Sequence, residues 1–266
     1  MASVKDLYAY IDTLAQFDTQ EGFDNAGFLV GHADKQVTDV LVCLDITLPV
    51  IQEAMELGAQ LIVAHHPVIF TPVRSITDES VVGRRLLMLT EAGISAICAH
   101  TNLDASQDGV NDVLARTLGL TEIRQLHRSG IDGQGREYGI GRIGQMTNAE
   151  LQDASRFAEH VKAALHAGCI RYHDAGRPVC RVAVGGGSCG NMLPDVVAAG
   201  CDTFVTSDIK HDIFIDAADY GINLIDAGHF ATEDVICQPL ADALQTAFPQ
   251  LRIVKSKICG EVFSCL

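Results

Sequence analysis

The sequence predicts an α/β protein built from two similar lobes. The main observation is a plan that occurs four times: a helix-like segment, a glycine, a short apolar run and then a polar cluster. A glycine after a helix suits the left-handed C-cap position, and a short β-branched run suits a buried parallel strand. The four glycines are Gly58, Gly93, Gly200 and Gly221. Because open α/β sheets bind ligands beyond the carboxyl ends of their strands, the polar clusters are expected to lie at ligand sites.

The two halves of the chain repeat one order of elements. In the first half, a strand over 40–44 and a helix over 49–57 lead to the strand that ends at His65 and His66. In the second half, a strand over 181–184, a glycine-rich turn and a short helix lead to the strand before Asp208. This repetition predicts two α/β lobes that face one another across a cleft, at residues 1–125 and 126–266.

The remaining elements follow from periodicity, caps and glycines. Apolar residues at helical spacing predict helices over 4–17, 80–92, 106–118 and 147–166. Ser106 is the expected N-cap of the third, and Thr147 with Glu150 is the expected capping box of the fourth. Frequent glycines between 119 and 150 predict turns and short antiparallel strands, and residues 24–27 predict a loop.

Charge and hydropathy exclude several classes of protein. The net charge is −15 and no Lys/Arg cluster occurs, so nucleic acid is not expected as a partner. No apolar run is long enough for a membrane span, and the N-terminal residues do not resemble a signal peptide. The nine cysteines are scattered without a Cys-x-x-Cys pair, which is typical of reduced thiols in a cytoplasmic protein.

Three of the four polar clusters contain residues that suit a metal. His65 and His66 are adjacent at a strand end. Neighbouring strand residues point to opposite faces, so these imidazoles are expected to serve two metals side by side. His229 and Glu233 are four residues apart and share a face if a helical turn begins near Phe230.

A further carboxylate, Asp104, follows the strand that leads to His100. Three imidazoles and two carboxylates suit a pair of Zn, Mn, Fe, Co or Ni ions rather than Ca. Paired ions about 3.5–4 Å apart activate water for hydrolysis. A single histidine is more often structural, and histidines without such neighbours are expected to be structural or exposed: His32, His127, His160, His166 and His173.

A competing motif lies in the second half. Gly185, Gly187 and Gly190 match G-x-G-x-x-G after a strand, and Asp208 follows about 20 residues later, as in dinucleotide-binding proteins. The helix that follows is short and has Pro194 near its first turn. A tight strand–helix turn that requires small residues is the favoured interpretation, so no organic cofactor is expected and NAD binding is the alternative.

Four stretches in the same order resemble the Nif-three-like family, whose members are often labelled GTP cyclohydrolase I type 2 homologs. They are residues 24–31 (DNAGFLVG), 64–70 (AHHPVIF), 100–104 (HTNLD) and 225–233 (IDAGHFATE). The resemblance spans nearly the whole chain. It implies a dinuclear metal centre in the cleft between two α/β lobes, and a homo-oligomer that is often a hexamer.

The same resemblance implies a ligand set. His66 and Asp104 would hold one metal, His65 and His229 would hold the other, and Glu233 would bridge both. The chain departs from the family at residues 206–212, which read TSDIKHD where relatives read close to TGDxKHH. Asp212 therefore replaces a histidine, which points to a different substrate-side contact.

The leading functional hypothesis is a metal-dependent hydrolase of a nucleotide-like or other small phosphorylated compound. Candidate pocket residues, each equally able to orient a metal ligand, are His100, Asp45, Asn25 and Lys210. No nucleophile motif occurs, so no catalytic residue is assigned. The alternative is a non-enzymatic metal-binding or scaffold oligomer.

Overall fold

The structure, a computed structural model, describes residues 2–266 as alternating strands and helices. The strands are β1 (Ala2–Ser3), β2 (Gly27–Val30), β3 (Gln36–Val37), β4 (Asp39–Cys43), β5 (Leu61–Ala64), β6 (Ser95–Cys98), β7 (Thr121–Gln125), β8 (Gly130–Ile131), β9 (Glu137–Tyr138), β10 (Arg142–Gln145), β11 (Arg171–His173), β12 (Arg181–Val184), β13 (Thr203–Thr206), β14 (Asn223–Asp226) and β15 (Arg252–Lys255). The α-helices are α1 (Val4–Leu14), α2 (Leu48–Leu57), α3 (Val81–Glu91), α4 (Thr101–Ala105), α5 (Val110–Thr117), α6 (Ala154–Ala164), α7 (Leu193–Ala198), α8 (His211–Tyr220), α9 (His229–Glu233) and α10 (Cys237–Ala247). No helix within residues 2–266 is long and apolar enough to cross a membrane.

The chain forms two compact units, each an α/β structure. Unit 1 comprises the residues up to Leu103 together with Ile236–Gly260, and unit 2 comprises Asp104–Val235 together with Glu261–Leu266. These bounds differ from the predicted halves 1–125 and 126–266. The pairing of β15 with β4 places a C-terminal segment in unit 1, and the pairing of β7 with β10 places residues 121–125 in unit 2. Strands β4 and β15 lie near opposite ends of the chain, so no local pattern predicts that they share a sheet.

Unit 1 contains a five-stranded sheet in the order β15-β4-β5-β6-β2. Strands β15, β4, β5 and β6 are parallel, and β2 runs antiparallel at the edge. Every residue of β5 and β6 is buried, which confirms the predicted buried parallel strands. In the register, Ala64 pairs with both Cys43 and Cys98. The segments after β4, β5 and β6 therefore leave the sheet side by side.

Unit 2 contains a six-stranded sheet in the order β11-β14-β13-β12-β10-β7. Its centre, β12-β13-β14, is parallel as predicted, and antiparallel strands complete it on both sides. Val205 pairs with Val184 and with Ile225. The glycine-rich turn after β12, the loop after β13 and the loop after β14 therefore start at the same edge of the sheet.

All four predicted glycines follow a helix with a left-handed φ, but only two are the C-cap itself. Gly93 (φ 66°) and Gly200 (φ 69°) come one residue after the C-caps Ala92 and Ala199. Gly58 and Gly221 are the C-caps of α2 and α8, and both have a φ of 68°. A side chain at such a backbone conformation is disfavoured, so a glycine there ends the helix and turns the chain into the next strand.

Two predicted helix starts were wrong. Over 106–118 the helix begins only at Val110 with Gly109 as N-cap, because Asp108 takes a left-handed φ of 60° and interrupts the chain after α4. Over 147–166 the helix begins at Ala154, where the Asp153 side chain accepts a hydrogen bond from Arg156 N at 3.0 Å. The predicted capping box is absent there, since a 3₁₀ turn over Ala149–Leu151 precedes α6.

The expectation that all nine cysteines are reduced was also wrong. Cys169 and Cys265 form a disulfide within unit 2, across a sequence separation of 96 residues. Such a pair leaves no signal in local spacing. Cys43 and Cys98 are buried strand residues as predicted, and burial raises the pKa of the Cys98 thiol to about 12.

Candidate metal centre

Three histidines converge in unit 1 where β5 and β6 end. One ring nitrogen of each of His65, His66 and His100 lies within 4.8 Å of the others. The ring centroid of His65 is 5.0 Å from that of His66 and 5.2 Å from that of His100. The predicted alternation of His65 and His66 does not apply, because β5 already ends at Ala64. Clustered imidazoles are suitable ligands for Zn and similar transition metals.

Each of these imidazoles is oriented through its Nδ1 atom. His65 Nδ1 donates to the Ala99 carbonyl oxygen at 2.8 Å, and His66 Nδ1 donates to the Asp45 carboxylate at 2.8 Å. His100 Nδ1 donates to the Asp24 carboxylate at 2.7 Å. A neutral imidazole that donates through Nδ1 carries its lone pair on Nε2. Metal-bound histidines are held in this way, so the rings have the orientation that coordination requires.

Asp24 has no exposed side-chain surface and holds the start of α4. Its Oδ2 atom accepts a hydrogen bond from Thr101 N at 3.0 Å, and Oδ1 accepts one from Asn25 N at 2.7 Å. Burial raises the pKa of the Asp24 carboxyl, but hydrogen bonds from His100 and Thr101 outweigh burial and lower it to about 2. The carboxylate therefore stays ionised and fixes the His100 ring.

This depressed pKa predicts an acid-dependent loss of stability. Because the folded-state pKa of about 2 is below the ordinary 3.8, the ionised carboxylate stabilises the fold at neutral pH. The contribution is about 2 kcal/mol above pH ~4 and roughly half is lost by pH ~3. Urea unfolding of the Asp24→Asn variant should show a deficit relative to wild type that shrinks over this range. A deficit that does not change with pH would contradict the assignment.

In unit 2, the second cluster is built on the short helix α9. His229 and Glu233 begin and end this helix, and His229 Nε2 lies 3.0 Å from Glu233 Oε2, which confirms the predicted shared face. A carboxylate oxygen of Asp104 lies within 4.8 Å of one of Glu233. Both carboxylate residues are buried, at 7% and 3% exposure. Two buried carboxylates at this separation repel one another, and a bound cation would offset that repulsion.

Asp208 is a site residue that the ligand set predicted from sequence did not include. Its Oδ2 atom accepts a hydrogen bond from His229 Nδ1 at 2.6 Å. The backbone of Asp208 has a left-handed φ of 52°, and the next N–H, of Ile209, donates to Asp226 at 3.2 Å. Asp226 also accepts from Gly228 N at 3.2 Å, so one carboxylate connects the loops that carry Asp208 and His229. The signal in the sequence was that Asp208 and His229 each follow one of two neighbouring parallel strands, β13 and β14.

The glycine-rich turn after β12 packs against α9. Gly187 has a φ of 65°, and a Cβ atom there would overlap Glu233 Oε1 and lie 3.3 Å from His229 Nε2. Gly186 N donates to Asn111 Oδ1 at 2.8 Å, and Gly187 N donates to Thr232 Oγ1 at 3.0 Å. These N–H groups are therefore engaged within the protein and are not directed at a phosphate. The geometry favours the tight turn over the NAD alternative.

The other named candidates lie outside both clusters. Asn25 donates through Nδ2 to the Ile69 carbonyl oxygen at 2.6 Å and so fixes backbone. Lys210 is the N-cap of α8, and Lys210, His211 and Asp212 are all exposed. Among the residues that the structure describes, the histidines expected to be structural or exposed join no group of potential ligands: His32, His127, His160, His166 and His173.

An α/β fold with imidazoles and carboxylates collected at strand ends defines a candidate metal-binding protein. A family model described as Duf34/NIF3 (NGG1p interacting factor 3) matches residues 2–259. The chain therefore belongs to the Duf34/NIF3 family, and the resemblance found in its four motifs is confirmed.

Relatives of similar length support this membership. A protein of Clostridium perfringens called "GTP cyclohydrolase 1 type 2 homolog" is 33% identical over 231 residues, 86% of each chain. One of the same name from a Nostoc species is 36% identical over 208 residues, 78% of this chain and 77% of the other. The crystal structure of Staphylococcus aureus protein SA1388 matches with a TM-score of 0.91 and 30% identity, over 100% of this chain and 99% of that one. A Bacillus cereus protein related to NIF3 has a TM-score of 0.93 at 22% identity, over 100% of this chain and 99% of that one, which shows the shared fold.

Proposed function

We propose that this protein is a metal-dependent hydrolase that holds two divalent transition-metal ions. Its substrate would be a nucleotide-like or other small phosphorylated compound. The observation that carries the proposal is the orientation of the candidate ligands. The Nδ1 atoms of His65, His66 and His229 are each held by an oxygen acceptor, which places the lone pair on Nε2 when the ring is neutral.

The proposed ligand set is the one that the family resemblance implies. His66 and Asp104 would hold one ion, His65 and His229 the other, and Glu233 would bridge them. The carboxylates of Asp104 and Glu233 are buried and lie within 4.8 Å of one another, which supports their coordination of a pair of cations. Imidazole and carboxylate together favour Zn, Mn, Fe, Co or Ni.

Such a pair of ions, when bound, would polarise the substrate and lower the pKa of a bound water. Other groups of the protein would hold the ligand side chains in position. Asp45 and Asp208 fix the rings of His66 and His229, and the Ala99 carbonyl oxygen fixes that of His65. His100 is outside the proposed ligand set and is held by Asp24, so its Nε2 atom is a candidate acceptor for a proton released near the ions.

A substrate screen tests the enzymatic part of the proposal. Nucleotides and phosphoesters would be assayed with and without added Mn or Zn, using wild type and Glu233→Gln. We expect turnover in wild type that the variant lacks, because the amide cannot bridge two cations as a carboxylate does. Turnover no higher than in Glu233→Gln, with metal bound, would instead favour the alternative of a non-enzymatic metal-binding or scaffold protein.

We also propose that the protein forms a homo-oligomer, with a hexamer as the assembly implied by the resemblance. The motivation is family membership over residues 2–259. Light scattering coupled to gel filtration would measure the assembly mass, and a monomeric mass at micromolar concentration would contradict the proposal. A cytoplasmic location stays a prediction from sequence.

A further inference from the structure

Two exposed phenylalanines lie next to the histidine cluster of unit 1. Phe23 is 67% exposed and Phe70 is 48% exposed. Their ring centroids are 6.4 Å apart, and the Phe70 ring lies 6.0 Å from that of His100 at an interplanar angle of 83°. Single exposed apolar side chains are ordinary. Two aromatic rings in contact with one another and with a site imidazole form a continuous aromatic surface at the candidate site.

This aromatic surface is held by the hydrogen bonds of the residues beside each ring. Phe23 precedes Asp24, which is bonded to His100 and to the Thr101 backbone at 2.7 and 3.0 Å. Phe70 follows Ile69, whose carbonyl oxygen accepts from Asn25 Nδ2 at 2.6 Å. These hydrogen bonds anchor the backbone beside each ring. An anchored backbone reduces the loop ordering that ligand binding would otherwise require.

We propose that Phe23 and Phe70 form a stacking subsite for a planar heteroaromatic ring, such as a nucleobase, beside His100. The inference rests on the proposed function and deepens it, because it specifies the part of the substrate that the protein recognises. Aromatic faces bind bases through stacking, which does not depend on base identity. The position next to His65, His66 and His100 would bring the group attached to that ring to the candidate metal ligands.

Paired ligands with and without a base test the subsite. Guanosine 5′-monophosphate and uridine 5′-monophosphate would be compared with ribose 5-phosphate by isothermal titration calorimetry on the metal-loaded protein. We expect wild type to bind both nucleotides at least roughly tenfold more tightly than ribose 5-phosphate, in line with the stabilisation that one stacked base provides. Upfield ring-current shifts of the base protons in the bound state would report the stacking directly.

Variants of Phe70 distinguish the contribution of stacking from that of apolar surface burial. Phe70→Leu keeps an apolar side chain but removes the π face, and should weaken nucleotide binding roughly tenfold while leaving ribose 5-phosphate unchanged. Phe70→Tyr should retain wild-type affinity. Tyr220→Leu, at a residue of 56% exposure on α8, is the matched control and should have no effect.

Two results would overturn the subsite. They are equal affinity of wild type for the nucleotides and ribose 5-phosphate, and unchanged nucleotide affinity in Phe70→Leu. If that unchanged affinity came with a change of oligomer mass, it would show that the rings cover a second copy of the chain. Metal content and turnover, measured on the same preparations, report separately on the proposed hydrolase. The subsite can therefore fail while the hydrolase stands, and the reverse.

Discussion

Purified protein is expected to contain close to two transition-metal ions per chain, and the His229→Ala variant close to one. His229 is proposed to hold one of the two ions, and its Nε2 atom lies 3.0 Å from Glu233. Loss of this imidazole leaves that ion with too few ligands, whereas His66 and Asp104 are unchanged. Elemental analysis after gel filtration measures the content. His32→Ala, at an exposed histidine outside both clusters, is the control and should keep wild-type content.

Removal of the ions with a chelator should also lower the unfolding temperature of wild type. An ion that binds only the folded chain stabilises it by about 4 kcal/mol when its free concentration is ~1,000 times Kd. Reloading with Zn or Mn should restore the transition, with a smaller recovery in His229→Ala. A metal-free preparation that cannot be reloaded with any of the candidate ions would refute the proposed centre.

The Gly187→Ala substitution is expected to reduce metal content and to destabilise unit 2. The left-handed backbone alone costs about 1–2 kcal/mol for a residue with a side chain. The new methyl group would also overlap Glu233 Oε1, and such overpacking typically costs about 1–3 kcal/mol. Displacement of the Glu233 carboxylate removes the proposed bridge, so both ions should bind more weakly.

Gly200→Ala separates these two effects. Gly200 has a φ of 69°, close to that of Gly187, but a Cβ atom there meets nothing within 4 Å. The control should therefore show the backbone cost without loss of metal. Denaturant unfolding and elemental analysis of both variants measure the difference. Equal stability and equal metal content in the two variants would show that the turn does not position Glu233.

Several parts of the fold could be predicted because they leave a local pattern. Strands β5, β6, β13 and β14 are buried at every position, and the central residues of each are apolar, as is typical of strands covered on both faces. Helix caps were less predictable. Ser106 and Asp153 are both suitable N-cap residues, but only Asp153 caps a helix, because the chain around Ser106 and Asp108 turns before α5 begins.

The candidate site was predictable only in part. His65, His66, His229 and Glu233 stand out because they follow strands in a repeated plan, and the structure places them in two clusters. The acceptors that orient the rings are harder to infer. Asp208 is 21 residues from His229, and Asp24 is 76 residues from His100. These hydrogen bonds depend on which loops meet, and no spacing rule connects their partners.

The amino-acid sequence by itself determined the parallel strands, the glycines that end α2 and α8, and the residue types available to a metal. These depend on interactions within a few residues, where burial and backbone preference act directly. Only the tertiary structure decided the return of β15 to the sheet of unit 1, the Cys169–Cys265 disulfide and the pairing of each imidazole with its acceptor. Those features join residues far apart in the chain, and they stabilise the fold only once the strands have assembled into sheets.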